Sequence, residues 1–206
     1  MSNYLAIATV TITLRDLLQE ASSLAVPGAA VTTQRPEFIN NGGQEKAGIN
    51  LYLYQVSPNP FWINSDLPTR NANGNLVQRP LTALDLDYLL SFHGSELTME
   101  PQRLLGNVMT NLHTQPFLSL TAMQNAIKDN SYLTQSDLFN QPERVRFAPL
   151  NLSLEELSKL WSVFFQIPYT LSIAYRASVV LLESSDEFPA AKVVQRPNIT
   201  VNREVS

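Results

Sequence analysis

The residues whose types and spacing could carry chemistry are His93 and His113, Asp85 with Asp87, and Glu155 with Glu156. Two imidazoles so far apart in the chain match no compact metal-ligand motif, such as a pair one helical turn apart, so no metal site is expected. Asp85 and Asp87 alternate in a β-prone run, which points both carboxylates to one strand face, as a general acid–base pair requires. The same spacing arises on a solvated sheet face, and that is the reading preferred here, because aspartate is mostly exposed. Glu155 and Glu156 follow Ser153, and carboxylates in the first turn of a helix are stabilised by its dipole without any function. A Ser, His and Asp constellation remains open to assembly from scattered residues. No Gly-rich phosphate loop, nucleophile elbow or dinucleotide fingerprint occurs, and the 7 glycines sit mostly at turns. The expectation is therefore no catalytic residue, no cofactor and no enzyme, but a protein that acts through its surfaces.

The elements that must position those residues follow from hydrophobic period. Residues 4–25 carry two competing patterns, an alternation through Ala6, Ala8, Val10, Ile12 and Leu14 and a helical spacing through Leu14, Leu17, Leu18 and Ala21. Helix is preferred on length and on the absence of Gly and Pro before Pro27. A short strand is expected at 30–35 and a second at 48–57, with Ile49, Leu51 and Leu53 on one face and Asn50, Tyr52 and Tyr54 on the other. Residues 58–80 form a long Pro-bounded excursion carrying Phe61 and Trp62. After Pro80 comes the strongest strand, with Leu84, Leu86, Tyr88, Leu90 and Phe92 inward and Asp85, Asp87 and Ser91 opposite. A helix begins near Pro101 and ends before Pro116, and a weaker one covers 121–128. Val145 and Phe147 suggest a short strand. Ser153 and Glu156 form a capping box opening a helix that Pro168 closes, with Leu157, Leu160, Trp161, Phe164 and Phe165 on its apolar side. A long strand at 169–183 places Leu171, Ile173, Tyr175, Val179 and Leu181 on one face and Ser172, Ala174 and Arg176 on the other.

This order predicts an α+β fold, a mostly antiparallel sheet flanked by helices. Residues 1–184 are expected to form one domain and 185–206 an extended C-terminal arm, where Val193, Val194, Ile199 and Val201 are β-prone apolar patches between prolines. Trp161 reads as core, whereas Trp62, with Phe61 in the Pro-bounded loop, reads as a contact residue.

At 206 residues the chain suffices for one well-buried core, and 44% apolar with only 16% charged residues leaves a surface of neutral polar groups suited to protein contacts. The net charge of −4, without a Lys/Arg cluster, argues against a nucleic-acid partner. Lack of cysteine excludes disulfides and fits synthesis in a reducing cytoplasm. No apolar run is long enough to span a bilayer, and the opening lacks the basic start of a signal peptide.

Six segments in this order resemble a known family. They are Leu14-Arg15-Asp16-Leu17-Leu18, Ile49-Asn50-Leu51-Tyr52-Leu53-Tyr54, Leu84-Asp85-Leu86-Asp87-Tyr88-Leu89-Leu90 after Pro80, Leu104-Leu105-Gly106, Glu155-Glu156-Leu157-Ser158-Lys159-Leu160-Trp161, and Tyr169-Thr170-Leu171-Ser172 with Tyr175. The family is the N-terminal domain of the cap proteins of contractile injection systems of the antifeeding-prophage and virulence-cassette type. The resemblance spans most of the chain and rests on structural words, not on a catalytic signature. It implies a phage tail-terminator-like fold and a ring, usually hexameric, that sits on the finished inner tube and sheath, stops their growth and holds the last sheath layer. Sheath and inner-tube proteins are the implied partners, and the end of the particle is the implied place. Some members carry a further domain where this sequence has only the short arm, so membrane or baseplate contact by such a tail is not expected.

By this reading an unpaired strand edge would accept an extended sheath segment through main-chain hydrogen bonds, while ring closure removes the head-to-tail surface. Phe61, Trp62, Val193, Val194, Ile199 and Val201 are the candidate contacts. A neck, baseplate or other ring-forming adaptor, or a hydrolase using the acidic pair, are the alternatives.

Overall fold

The threonine-rich opening is a helix. In the computed structural model, which describes residues 2–38, 46–62, 81–164 and 167–183, α1 spans Ala6–Ala25. Ala6, Val10, Leu14 and Leu18, four residues apart, are completely buried on one stripe. The intervening hydroxyls are absorbed locally: Thr9, Thr11, Thr13 and Ser22 each donate to the carbonyl one turn back, at 2.6–3.0 Å. Thr9 and Thr11 also reach outward, to Ser136 Oγ at 2.6 Å and to the phenol of Tyr88 at 2.8 Å, so the polar half of the apparent alternation is bonded inside the protein.

A turn through Gly28, at φ 83°, leads into β1 (Ala30–Thr32). Then follow β2 (Gly48–Pro58), β3 (Leu81–His93), α2 (Glu100–Thr114), α3 (Leu120–Asp129), β4 (Arg146–Leu150), α4 (Leu154–Ser162) and β5 (Ser172–Glu183). The strands form one five-stranded sheet in the order β1-β2-β3-β5-β4. Among the described residues, β1 and β2 run parallel and the other pairs are antiparallel. This is the expected α+β architecture, with β3 at its centre.

One sheet face carries Ile49, Leu51, Leu86, Tyr88, Leu90, Phe92, Tyr175 and Ala177 into the main core with α1 and α2. The strand alternation expected for β2 and β3 holds. In β5 it fails partway: Leu86 pairs with Ala177 but Leu84 pairs with Val180, so β5 has one extra residue there. That bulge reverses the phase, and Val180 and Leu182 join the core where Val179 and Leu181 were expected.

The opposite face is covered by the shorter α4 and the turn after it, where Trp161 and Phe164 bury Leu89 beside Tyr52 and Tyr54. Tyr52 and Phe164, and Trp161 and Phe164, meet edge to face at 5.5 and 5.7 Å. The helix stops at Ser162, well short of Pro168, because Val163 and Phe164 donate to carbonyls only three residues back and tighten the last turn. Phe165, expected on the same stripe, lies outside the described residues.

At its start, the capping box is complete: Glu156 N donates to Ser153 Oγ at 3.2 Å, and Ser153 N donates to Glu156 Oε2 at 2.8 Å. The Ser153 backbone and hydroxyl bonds hold the Glu156 carboxyl below the usual carboxylate range. Its folded-state pKa being depressed, this support is present above the unfolded carboxylate value and is lost as pH falls through the folded one. Ser153→Ala removes the hydroxyl bond and keeps the backbone one, so it should raise the Glu156 midpoint only part of the way toward the ordinary carboxylate range by carboxyl-detected NMR; an unchanged midpoint would contradict the hydroxyl's share.

Candidate functional site

Phe61 projects from the body, 88% exposed, on the turn that leaves β2. The turn is built on Asn59, itself only 4% exposed. Asn59 Oδ1 accepts from the main-chain N–H of Phe61 and of Trp62, at 3.0 and 3.2 Å, an Asx-type turn. Asn59 N donates to Ala83 O at 2.9 Å, fastening the turn to β3. From the other side, Asn59 Nδ2 donates to Asp85 Oδ1 at 2.8 Å, so a buried carboxylate under the sheet surface holds the residue that shapes the projecting turn.

That carboxylate is not on a solvated face. Asp85 and Asp87 are 3% and 2% exposed, which corrects the expected open, water-covered acidic strand. The cause is register: Asp87 pairs directly with Arg176 of β5, and like-facing residues of paired strands meet side by side. Arg176 Nε and Nη2 donate to the two oxygens of Asp87 at 2.7 and 2.8 Å, the bidentate geometry that a planar guanidinium matches best. Arg176 Nη1 lies 4.0 Å from Asp85 Oδ2. The Asp87 bond is the main reason the guanidinium is held above its ordinary range, and Asp85 reinforces it. Beside the network, burial first and the Asp87 charge second push the Tyr54 phenol up. Both oxygens of Asp87 are thus committed to one cation, and Asp85 is committed to a loop anchor. The pair expected as a possible acid–base couple serves as the foundation of an exposed turn.

The other candidate chemistry does not converge. Glu156 is consumed by its cap, and Glu155 pairs with Lys159 at 2.6 Å. His93 ends β3 with its Nε2 3.1 Å from Ser91 Oγ, whereas His113 is in the last turn of α2. Among the described residues no cluster of three or more His, Asp or Glu side chains could hold a metal ion. Trp161 is core, 5% exposed, with Nε1 donating to Ser172 Oγ at 3.1 Å. Val193, Val194, Ile199 and Val201 lie outside the described residues.

The sheet edges decide whether another chain could extend the sheet. On β4 the residues turned away from β5 are Val145, Phe147 and Pro149, by strand alternation. Val145 O accepts from Leu118 N at 2.9 Å, Phe147 N donates to Pro116 O at 2.7 Å, and Pro149 has no N–H. Of the main-chain groups on this edge, Val145 O and Phe147 N are already engaged and Pro149 brings no donor. On β1 two outward groups are held by a single side chain: Gln19 Nε2 donates to Ala29 O at 2.9 Å, and Val31 N donates to Gln19 Oε1 at 2.8 Å. The edge strand is short and plugged by an amide that mimics a neighbouring strand. Among the described residues, the outer edges of β4 and β1 are thus partly occupied by the chain's own groups.

Arg176, Asn59 and Gln19 were not among the candidates drawn from sequence. A local signal existed for Asn59, since Pro-Asn-Pro is turn chemistry. For Arg176 and Gln19 the partner is distant in the chain, and only the fold brings them together.

The Pvc16 N-terminal domain family matches residues 9–196. No curated protein sequence matches. Among solved structures, the fold is similar to the sheath/tube terminator of an extracellular contractile injection system, PVC, in its extended state. The TM-score is 0.61 at 16% identity over 97% of this chain. It is similar also to the tube-terminating cap of the anti-feeding prophage, with a TM-score of 0.56 at 16% identity over 91% of this chain. The matches cover 64% and 60% of those two proteins, so this chain spans less than two thirds of either.

Proposed function

The chain belongs to the Pvc16 N-terminal domain family, and on that premise we propose that it is a structural, non-enzymatic cap that terminates the inner tube and sheath of a contractile injection particle. The observation that carries this reading is the shared architecture with a sheath/tube terminator over 97% of the chain. The buried, fully engaged Asp85 and Asp87 support a role without catalysis, because a general base must reach its substrate. Residues 1–184 act as the terminator body and 185–206 as an arm. Copies close into a ring, a hexamer, and closure leaves no head-to-tail surface for another layer. The protein is made in the cytoplasm and joins the end of the particle, with sheath and tube proteins as partners. Among the described residues no helix is long and apolar enough to cross a membrane.

The contacts are Phe61 and Trp62 on the anchored turn, and Val193, Val194, Ile199 and Val201 on the arm. The state of the two sheet edges supports docking through these projections, because an incoming strand at β1 would first have to displace Gln19. Phe61→Asp tests the turn. An exposed substitution of this kind should change stability by no more than about 0.5 kcal/mol, yet abolish co-sedimentation with assembled tube and sheath. Co-sedimentation equal to that of the unmodified chain would remove the turn from the interface.

A further inference from the structure

Between α1, α2 and α3 lies a groove of about 470 Å³. Its walls carry Asp16 and Glu20 from α1 and Asp129 from α3, and no Lys or Arg lines it. Asp16 engages Arg15 through Oδ1 alone, at 2.6 and 2.8 Å. Asn111 of α2 also lines the groove, and its Oδ1 is buried without a hydrogen-bond partner. Gln115 and Asn125 bring amide donors to the groove, but every charged group on its lining is a carboxylate. Between these groups lie Leu17, half-buried, and Leu24, 84% exposed at the groove's end. An acceptor-rich rim around apolar side chains does not suit a small anion, and the aliphatic part does not suit a hydrated metal ion.

We propose that this groove is a docking surface for a basic, amphipathic protein segment, whose Lys or Arg side chains meet the acidic rim while its apolar side chains cover Leu17 and Leu24. Lys and Arg are donor-only and carry aliphatic stems that pack on apolar surface, so one side chain type satisfies both features of the groove. The surface is separate from the Phe61 turn, which follows β2, and the inference stands whether or not the chain caps a tube.

The test titrates the full isotope-labelled chain with a synthetic amphipathic peptide of Leu and Lys at helical spacing, and with a counterpart in which Glu replaces every Lys. Amide shifts should concentrate on the groove residues of α1, α2 and α3 for the Lys peptide only. Glu20→Gln combined with Asp129→Asn should weaken binding about fivefold at low salt, the effect of two exposed charge pairs, and the difference should shrink as salt rises. Glu155→Gln, a remote exposed carboxylate on α4, should leave affinity unchanged. Shifts scattered over the surface, equal weakening by Glu155→Gln, equal binding of the Glu peptide, or no binding at all would overturn the proposal. So would the same groove shifts produced by calcium alone, which would make the rim a cation site.

Discussion

Arg176→Met should lower the melting temperature by roughly 6–12 °C, the equivalent of about 3 kcal/mol in a chain of this size. The substitution keeps an apolar stem of similar length, so packing changes little. What it removes is the cation that neutralises Asp87, bonded at 2.7 and 2.8 Å, and that lies 4.0 Å from Asp85. Losing one partner of a buried pair costs more than the pair contributes, because the remaining charge stays out of water. The Arg176 side chain is 37% exposed against 3% for Asp87, which places the effect at the low end of the usual range. Adding Asp87→Leu to Arg176→Met should restore most of the loss, since an apolar pair of suitable volume replaces an ion pair at little cost. A single Arg176→Met chain as stable as the original would mean that the carboxylates are solvated after all.

The second large effect concerns the parallel end of the sheet. A Cβ at Gly48 would run into the carbonyl oxygen of Ala30. The obstacle is backbone, so no rotamer change relieves it, and β1 must move off β2. Because β1 is only three residues, paired by Ala30, Val31 and Thr32, little holds it in a shifted position. Gly48→Ala is therefore expected to cost about 2 kcal/mol and to abolish hydrogen-exchange protection at Ala30–Thr32, while β3 and β5 keep theirs. Unchanged protection in β1 would show that the strand tolerates the extra carbon.

Periodicity made much of this architecture legible before any coordinates. The alternation of Ile49, Leu51 and Leu53, and of Leu86, Tyr88, Leu90 and Phe92, places the correct sides of β2 and β3 in the core. Ser153 and Glu156 are visible as a capping box because that signal is local. Where the decisive interaction joins distant segments, the sequence pattern misleads. Asp85 and Asp87 look solvated because nothing near them in the chain announces Arg176, which arrives by strand register. The bulge in β5 is similarly silent, since Ala177, Ser178 and Val179 carry no glycine or proline to mark it. Gln19 reads as an ordinary polar position on a helix, yet it closes the β1 edge. Phe61 sits between prolines in the sequence, and in the structure it is exposed. Its support by Asn59 and Asp85 was not visible, because it depends on β2 and β3 being neighbours.

The central claim is termination, and length is what termination controls. Electron microscopy of injection particles assembled with and without this chain would measure tube and sheath lengths directly. The account predicts a narrow length distribution with the chain present, and overlong tubes or unravelling sheaths without it. Particles of identical, uniform length in both preparations would contradict it.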